Sequence, residues 1–290
     1  MSPVLAVVGP TAVGKSDFGV DLALERDGEV VNADSMQLYR GMDIGTAKLT
    51  HEEQRGVPHH LLDIWPVTRT ATLAEYQELA LTAVDEIAGR GKVPIVVGGS
   101  GMYVHAVVDR WDIPGTDPEL RSQLEAELAA LGPEALHERL AQADPAAAIA
   151  ILPTNGRRIV RALEVVAMRG SFSAQLPTFE PNPELELIGL RVSRDELDDR
   201  ITQRVDRMWQ QGFVDEVRAL ETQGLRQGLT ASRALGYAQV LAFLAGECSE
   251  AEARDDTVRA TRRFARRQES WFNRDQRVQW RDVGRQPALG

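Results

Sequence analysis

One cysteine, Cys248, is all the sulfhydryl chemistry this 290-residue chain has. That excludes a disulfide framework and a thiolate zinc site, and it suits a reducing, cytoplasmic compartment. Long hydrophobic runs are missing as well. No stretch approaches the ~20 apolar residues needed to span a bilayer. The N-terminal apolar run is short and has no basic leader before it, so neither a membrane anchor nor a targeting segment is expected. An excess of positive charge is also absent. The net charge of −10 argues against a general nucleic-acid binder, leaving only a local basic patch to serve that purpose. Internal repeats and low-complexity segments are lacking, and 43% hydrophobic with 26% charged residues is an ordinary globular balance.

What is present begins at the N-terminus. The apolar run Val4 to Val8 leads into Gly9-Pro10-Thr11-Ala12-Val13-Gly14-Lys15-Ser16, and a helical pattern carrying Phe18, Leu22 and Leu24 follows. Strand, glycine loop and helix start in that order make a phosphate cradle. The glycines allow a turn tight enough for successive N–H groups to point at phosphate oxygens. Lys15 adds a point charge, and the Ser16 hydroxyl can hold Mg²⁺. The loop does not say which phosphate compound it holds.

Glu29 to Asn32 reads as a second buried strand ending at Ala33-Asp34-Ser35-Met36-Gln37. Ligands of open α/β sheets sit at the carboxyl ends of strands, so Asp34, Ser35 and Gln37 are expected near the cradle. Asp34 and Ser35 serve equally well as a helix cap, and position alone leaves both uses open. Residues 38–48 read as an ordered loop. Adjacent His59 and His60 cannot face one metal from a strand or a helix and are expected to hydrogen-bond instead. Leu73 to Ile87 has helical periodicity through Tyr76, Leu79, Ala80, Val84 and Ile87. Val93 to Val97 is a third buried strand, ending in Gly98-Gly99-Ser100. A P-loop ATPase normally has a magnesium-binding acid at such a strand end. Its absence weakens a plain ATPase reading and lets a substrate approach the backbone closely.

From Pro114 the texture becomes helical, over about 118–131, 134–143 and 145–152, then again from Arg157. An irregular stretch from Pro177 to Pro183 precedes a strand from Leu185 to Val192. A helical block between two strands of one sheet reads as an insertion. The expected layout is therefore a core of residues 1–113 and 185–290 with an inserted helical subdomain at 114–184. Leu197, Ile201, Val205 and Met208 form a core stripe on a helix capped by Ser193. A longer helix from Ser249 to about Asn273 places Arg259, Arg262, Arg263, Arg266 and Arg267 on one face. Such a face is most often a solvated surface. Here acids are scarce along it, and with Arg157, Arg158 and Arg161 it offers two basic patches that would suit phosphate contacts to a folded RNA.

GPTAVGKS, NADSMQLYRGMDIGTAK, PHHLLDI, PIVVGGSGMY, RRIVRALEV and TRRFARRQESWF, in this order and spacing, resemble the tRNA dimethylallyltransferase family from Val4 to about Trp280. The resemblance implies an α/β fold: a P-loop kinase-like core, with a parallel sheet flanked by helices, and an inserted helical tRNA-contacting subdomain. It also implies a reaction. A dimethylallyl group moves from dimethylallyl diphosphate to the exocyclic amine of the adenine 3′ to the anticodon, in tRNAs reading codons that begin with U, and diphosphate leaves. On family positions, Asp34 matches the catalytic aspartate, while Thr11 and Arg204 match leaving-group contacts. Gly9, Pro10, Thr11, Ala12, Val13, Gly14, Lys15 and Ser16 would bind diphosphate, with Ser16 on Mg²⁺. Asp34, Ser35, Met36, Gln37, Ser100, Arg121 and the segment of Arg157, Arg158 and Arg161 match RNA-contact positions, and Arg263 joins them from the basic helix. Members usually have Thr where this chain has Ser100; the hydroxyl survives. No Cys/His zinc module of the kind some eukaryotic members carry is present, so the bacterial form is expected. The implied partner is the anticodon stem-loop of tRNA, bound by a cytoplasmic monomer that does not engage a membrane.

The rival from another class is a small-molecule P-loop kinase using ATP, with Asp34 activating a hydroxyl. The Gly98-Gly99-Ser100 strand end and the arginine face count against it. A nucleotide-dependent RNA-binding switch would want a guanine-reading motif or a strand-end acid, and neither stands in the expected place. Prenyl transfer to a free adenine nucleotide would need neither the arginine face nor the insertion.

Overall fold

Alternation along the first strand organises both layers. In the computed structural model, which describes residues 4–173 and 179–284, β1 (Val4–Val8) lies inside a six-stranded sheet with β2 (Gly28–Asn32), β3 (His59–His60), β4 (Val93–Val97), β5 (Leu185–Arg191) and β6 (Val278–Asp282). All pairings are parallel, in the order β3-β2-β4-β1-β5-β6. Successive side chains point to opposite faces. Leu5 and Val7 pack with Val20, Leu22 and Ala23 of α1 (Lys15–Arg26). Ala6 and Val8 face a larger core containing Tyr76, Ala80, Val84 and Ile87 of α2 (Leu73–Gly89). A parallel sheet needs this cover on both sides, which is why its inner strands β1 and β4 read as short, wholly apolar runs.

Leu24 and Leu79, expected on buried stripes, are 54% and 41% exposed. Each lies away from the centre of its helix's buried face. The two-residue β3 has no apolar run of its own, so the sequence carried no strand signal there. Residues 33–58 and 61–66, on either side of β3, are loop segments whose Leu38, Tyr39, Met42 and Trp65 are buried. Beyond β4, α3 (Gly101–Val108) returns across the sheet, packing mainly against α2.

The chain divides into two compact units, residues 1–111 with 179–290, and residues 112–178. The smaller one has α4 (Pro118–Ala143), α5 (Pro145–Ala150) and α6 (Gly156–Arg169) around its own core of Leu124, Leu136, Leu140, Ile159 and Leu163. Asp117 caps α4 by accepting from the Glu119 and Leu120 amides, and Gly132 at φ 82° breaks the helix into the two segments its sequence predicts. Residues 177 and 178 of the proline-bearing stretch lie outside the described residues.

In the larger unit α7 (Arg194–Gln210), α8 (Phe213–Thr222), α9 (Tyr237–Leu244) and α10 (Glu250–Phe272) pack on one another and add Met208, Phe213, Val217, Tyr237, Val240 and Phe272 to the larger core. The α7 stripe of Leu197, Ile201, Val205 and Met208 is buried as its spacing requires. Ser249 and Glu252 close a reciprocal capping box at the start of α10. No helix among the described residues is long and apolar enough to cross a membrane.

Candidate active site

The loop after β1 is shaped by its backbone. Gly9 sits at φ 140°, where a Cβ would lie 2.5 Å from the Leu190 carbonyl oxygen, so no other residue fits. Ala12 and Gly14 follow at φ 65° and 99°. Gly14 precedes α1 without a side-chain cap, leaving the first N–H groups of that helix available to an anion. Lys15 Nζ folds back to donate to the Pro10 carbonyl at 2.7 Å. Burial pushes the Lys15 ammonium down to about 7; the Asp34 carboxylate opposes the shift and Arg204 adds to it.

Asp34 follows β2 and is held from behind. Asn32 Oδ1 accepts from the Asp34 amide at 2.9 Å, while its Nδ2 donates to the Asp34 and Leu61 carbonyls. The buried Tyr76 hydroxyl donates to the Asn32 carbonyl at 3.0 Å. Asp34 Oδ1 accepts from the Met36 amide, so it caps a tight turn and not a helix. The third strand end explains its glycines. A Cβ on Gly98 would lie 2.3 Å from the Ala33 carbonyl oxygen, and one on Gly99 2.2 Å from Gln268 Nε2. Gln268, 5% exposed on α10, accepts from the Thr11 amide at 2.8 Å and donates to the Gly99 carbonyl at 2.9 Å. It ties the phosphate loop to the end of β4.

Arg204 enters from α7 and donates to the Thr46 carbonyl at 3.0 Å. Burial holds its guanidinium below its ordinary range, with Asp34 opposing and Arg207 adding to the effect. Three cavities meet at this residue. A cleft of about 60 Å³ is lined by Thr11, Lys15, Ser16, Asp34, Gln37 and Arg204. A cavity of about 320 Å³, with more apolar walls, shares Thr11, Asp34 and Arg204 and adds Ser35, Met36, Ser100 and Phe264. A basic hollow of about 650 Å³ carries Ala12, Gly14, Lys15, Ser16, Arg200, Arg204 and Arg207.

The fold therefore brings Thr11, Lys15, Ser16, Asp34, Ser35, Met36, Gln37, Ser100 and Arg204 around one centre. Four other residues expected to touch RNA belong to the unit of residues 112–178. There Arg121 and Arg161 bind the fully buried Glu164 carboxylate, and Arg161 also donates to the Pro114 and Gly115 carbonyls. Arg157 and Arg158 are exposed on α6. On α10, Arg263 and Arg266 are exposed, whereas Arg262 turns to α7 and donates to Thr202 Oγ1 at 2.9 Å, leaving the arginine face narrower than its spacing implies. Sequence reading passed over Asn32, Thr46 and Gln268. A polar residue inside an apolar strand was the available signal for Asn32; Gln268 was hidden among arginines, and Thr46 meets Arg204 through its backbone carbonyl. His60 pairs with Glu29 at 2.7 Å, and His59 Nδ1 lies 2.9 Å from the Val57 carbonyl oxygen, the hydrogen-bonding roles expected of them.

Among the described residues no cluster of three or more His, Cys, Asp or Glu side chains is placed to hold a metal ion. Ser16 Oγ beside the cradle fits Mg²⁺ held mostly by substrate oxygens and water, the usual manner of that ion.

A parallel sheet with a phosphate loop at a strand end, faced by a carboxylate and a buried arginine, defines a P-loop enzyme acting on a phosphorylated substrate. The sequence model described as IPP transferase matches residues 37–275. The tRNA dimethylallyltransferase of Thermobifida fusca is 65% identical over 286 residues, spanning 97% of this chain and 90% of that one. That of Streptomyces avermitilis is 66% identical over 278 residues, spanning 96% and 89%. Among solved structures, the tRNA isopentenylpyrophosphate transferase of Bacillus halodurans is 42% identical with a TM-score of 0.74, covering 99% of this chain and 92% of that one. A eukaryotic dimethylallyltransferase acting on tRNA, at 24% identity and a TM-score of 0.81, shares the fold. The chain belongs to the IPP transferase family.

Proposed function

We propose that this enzyme transfers a dimethylallyl group from dimethylallyl diphosphate to the exocyclic amine of the adenine 3′ to the anticodon, in tRNAs reading codons that begin with U. The observation that carries the reading is that Thr11, Asp34 and Arg204 line both the cleft at the phosphate loop and the more apolar 320 Å³ cavity. One group of residues thus faces a diphosphate on one side and an organic acceptor on the other.

In the reaction a bond forms between the adenine amine and the first carbon of the prenyl group as the bond from that carbon to the bridging oxygen breaks. Negative charge grows on the departing diphosphate. The N-terminal amides of α1, the Lys15 ammonium, the Thr11 hydroxyl and Arg204 answer that charge from a desolvated site, where such stabilisation is strongest. Mg²⁺, when bound with the donor at Ser16, would neutralise part of the diphosphate charge. The amine becomes positive as it bonds and must lose a proton. Asp34 accepts it, a role typically worth about 10²–10⁴-fold. The adenine has to leave the anticodon-loop stack to reach Asp34, and Ser35, Met36 and Ser100 border the cavity that would receive it. Exposed cations that would meet the RNA backbone include Arg259, Arg263, Arg266 and Arg267 on α10 and Arg157 and Arg158 on α6. We assign the enzyme to the cytoplasm, acting as a monomer.

Purified protein with Mg²⁺ and unmodified tRNA, given dimethylallyl diphosphate or ATP in separate tubes, tests this. Nuclease digestion and mass spectrometry should find an adenosine heavier by one five-carbon group only with the prenyl donor. No such gain, with ATP consumed on small-molecule acceptors, would replace the transferase with the kinase.

A further inference from the structure

Arg204 is buried beside Lys15, yet among the described residues its side chain makes one hydrogen bond, to the Thr46 carbonyl, and no ion pair. Its aim at the leaving group therefore depends on where the loop before Thr46 is held. That loop is gripped from α8. Glu216 Oε2 accepts from the Asp43 and Ile44 amides at 3.1 and 2.7 Å; Oε1 accepts from the Gly45 amide at 3.2 Å and from the Tyr237 hydroxyl at 2.6 Å. Three successive backbone N–H groups and a phenol converge on one carboxylate. Bonds to an ionised acceptor are shorter and stronger than neutral ones.

The fit around this clamp is close. A Cβ on Gly45 would lie 2.3 Å from Phe213 Cε2 and 2.5 Å from Tyr237 Cε2, so the loop lies directly on those rings. Burial first, and then the Glu216 charge, hold the Tyr237 phenol well above its ordinary range, so it stays a donor. Downstream, Thr46 Oγ1 donates to the Met42 carbonyl at 2.6 Å, and the Thr46 carbonyl accepts from Gln37 Nε2 at 3.2 Å as well as from Arg204.

We propose that Glu216 is a positioning residue for the leaving-group arginine: its carboxylate fixes residues 43–45, these fix the Thr46 carbonyl, and that carbonyl aims Arg204 at the diphosphate. Glu216 itself touches no reacting atom. The role assigned to Arg204 rests on the proposed prenyl transfer, but the link between Glu216 and Arg204 can be measured without it.

Glutamine at 216 keeps the shape but presents an NH₂ group where two donors now point, so it unseats part of the loop. The test is a double-mutant cycle over Glu216→Gln and Arg204→Ala. It is read by calorimetric binding of inorganic diphosphate with Mg²⁺, and by single-turnover prenyl transfer with enzyme in excess. Glu216→Gln should weaken diphosphate binding and slow the single turnover about tenfold when Arg204 is present, and change either less than about twofold when it is absent. Affinity for an anticodon stem-loop should be unchanged throughout. Equal losses in both backgrounds would reduce Glu216 to general support of the fold, and no loss in either would remove it from the site. Should Glu216→Gln fail to fold, Tyr237→Phe deletes one donor while keeping the three amide bonds. It should give a two- to threefold loss that again disappears with Arg204→Ala, and a loss that persists would overturn the proposal. If the diphosphate cycle shows coupling while the wild-type protein transfers no prenyl group, the clamp stands and the transferase assignment falls.

Discussion

Diphosphate binding should take up a proton above pH 7, and Lys15 is the group that takes it. The ligand-free protein holds this ammonium at about 7, chiefly through burial, against 10.5 for a free lysine. Its hydrogen-bonding partner there is the neutral Pro10 carbonyl. A bound diphosphate supplies opposite charge within contact distance and returns the group to its ordinary range. At pH 8, about 10% of the ligand-free protein has Lys15 charged, so forming the complex consumes about 0.9 proton. At pH 8.5 the charged fraction is about 3%, and affinity should fall about thirtyfold relative to acidic solution from this group alone. Inorganic diphosphate titrates too, so the comparison is with Lys15→Arg, whose guanidinium stays charged. Calorimetry in two buffers of different ionisation heat at pH 8 should give about 0.9 proton more for wild type than for Lys15→Arg, and almost no difference at pH 6. Equal proton uptake at pH 8 would refute the reasoning. The same shift bears on stability. Between about 7 and 10.5 the unfolded chain binds this proton and the folded one does not, so stability attributable to Lys15 rises with pH across that window and its full cost is present below it.

Asp34→Ala should reduce single-turnover prenyl transfer by 10²-fold or more while tRNA affinity is nearly retained, measured by filter binding beside the rate; matched losses in both would count against the base assignment. Arg263→Glu, on the exposed face of α10, should weaken tRNA binding and flatten the slope of log affinity against log salt by about one unit; an unchanged slope would take that helix out of the interface. Glu164→Ala should destabilise residues 112–178 by about 3 kcal/mol, the lower end for breaking a buried ion pair because Arg121 and Arg161 are partly exposed. Hydrogen exchange across α4 and α6 would show it, and undiminished protection would contradict it. Burial alone would raise the Glu164 carboxyl, but the two guanidiniums outweigh it and hold it below the usual range. Its contribution is therefore complete at neutral pH and lost as pH falls through that lowered value.

Local chemistry was legible in the residues alone. Val4 to Val8 and Val93 to Val97 are strands because short apolar runs bounded by glycine have no other economical use, and the phosphate loop is defined by residues adjacent in the chain. The helices of residues 118–169 were equally plain, since caps and prolines mark their ends. At Asp34 local pattern alone left two readings open, and the family resemblance chose chemistry. What tertiary structure decided is how these pieces are held and joined. The Thr11 amide meets Gln268 across 257 residues, Arg204 meets the Thr46 carbonyl across 158, and Glu216 reaches back across 173 to the Asp43 amide. None of these partners is marked by periodicity or spacing, because a backbone carbonyl or amide carries no sequence signature. Arg121, Arg161 and Arg262 make the same point in reverse. As letters they match the exposed Arg157 and Arg263, and only the packed fold shows that they are drawn into internal hydrogen bonds, with the buried Glu164 carboxylate for the first two and Thr202 of α7 for the third.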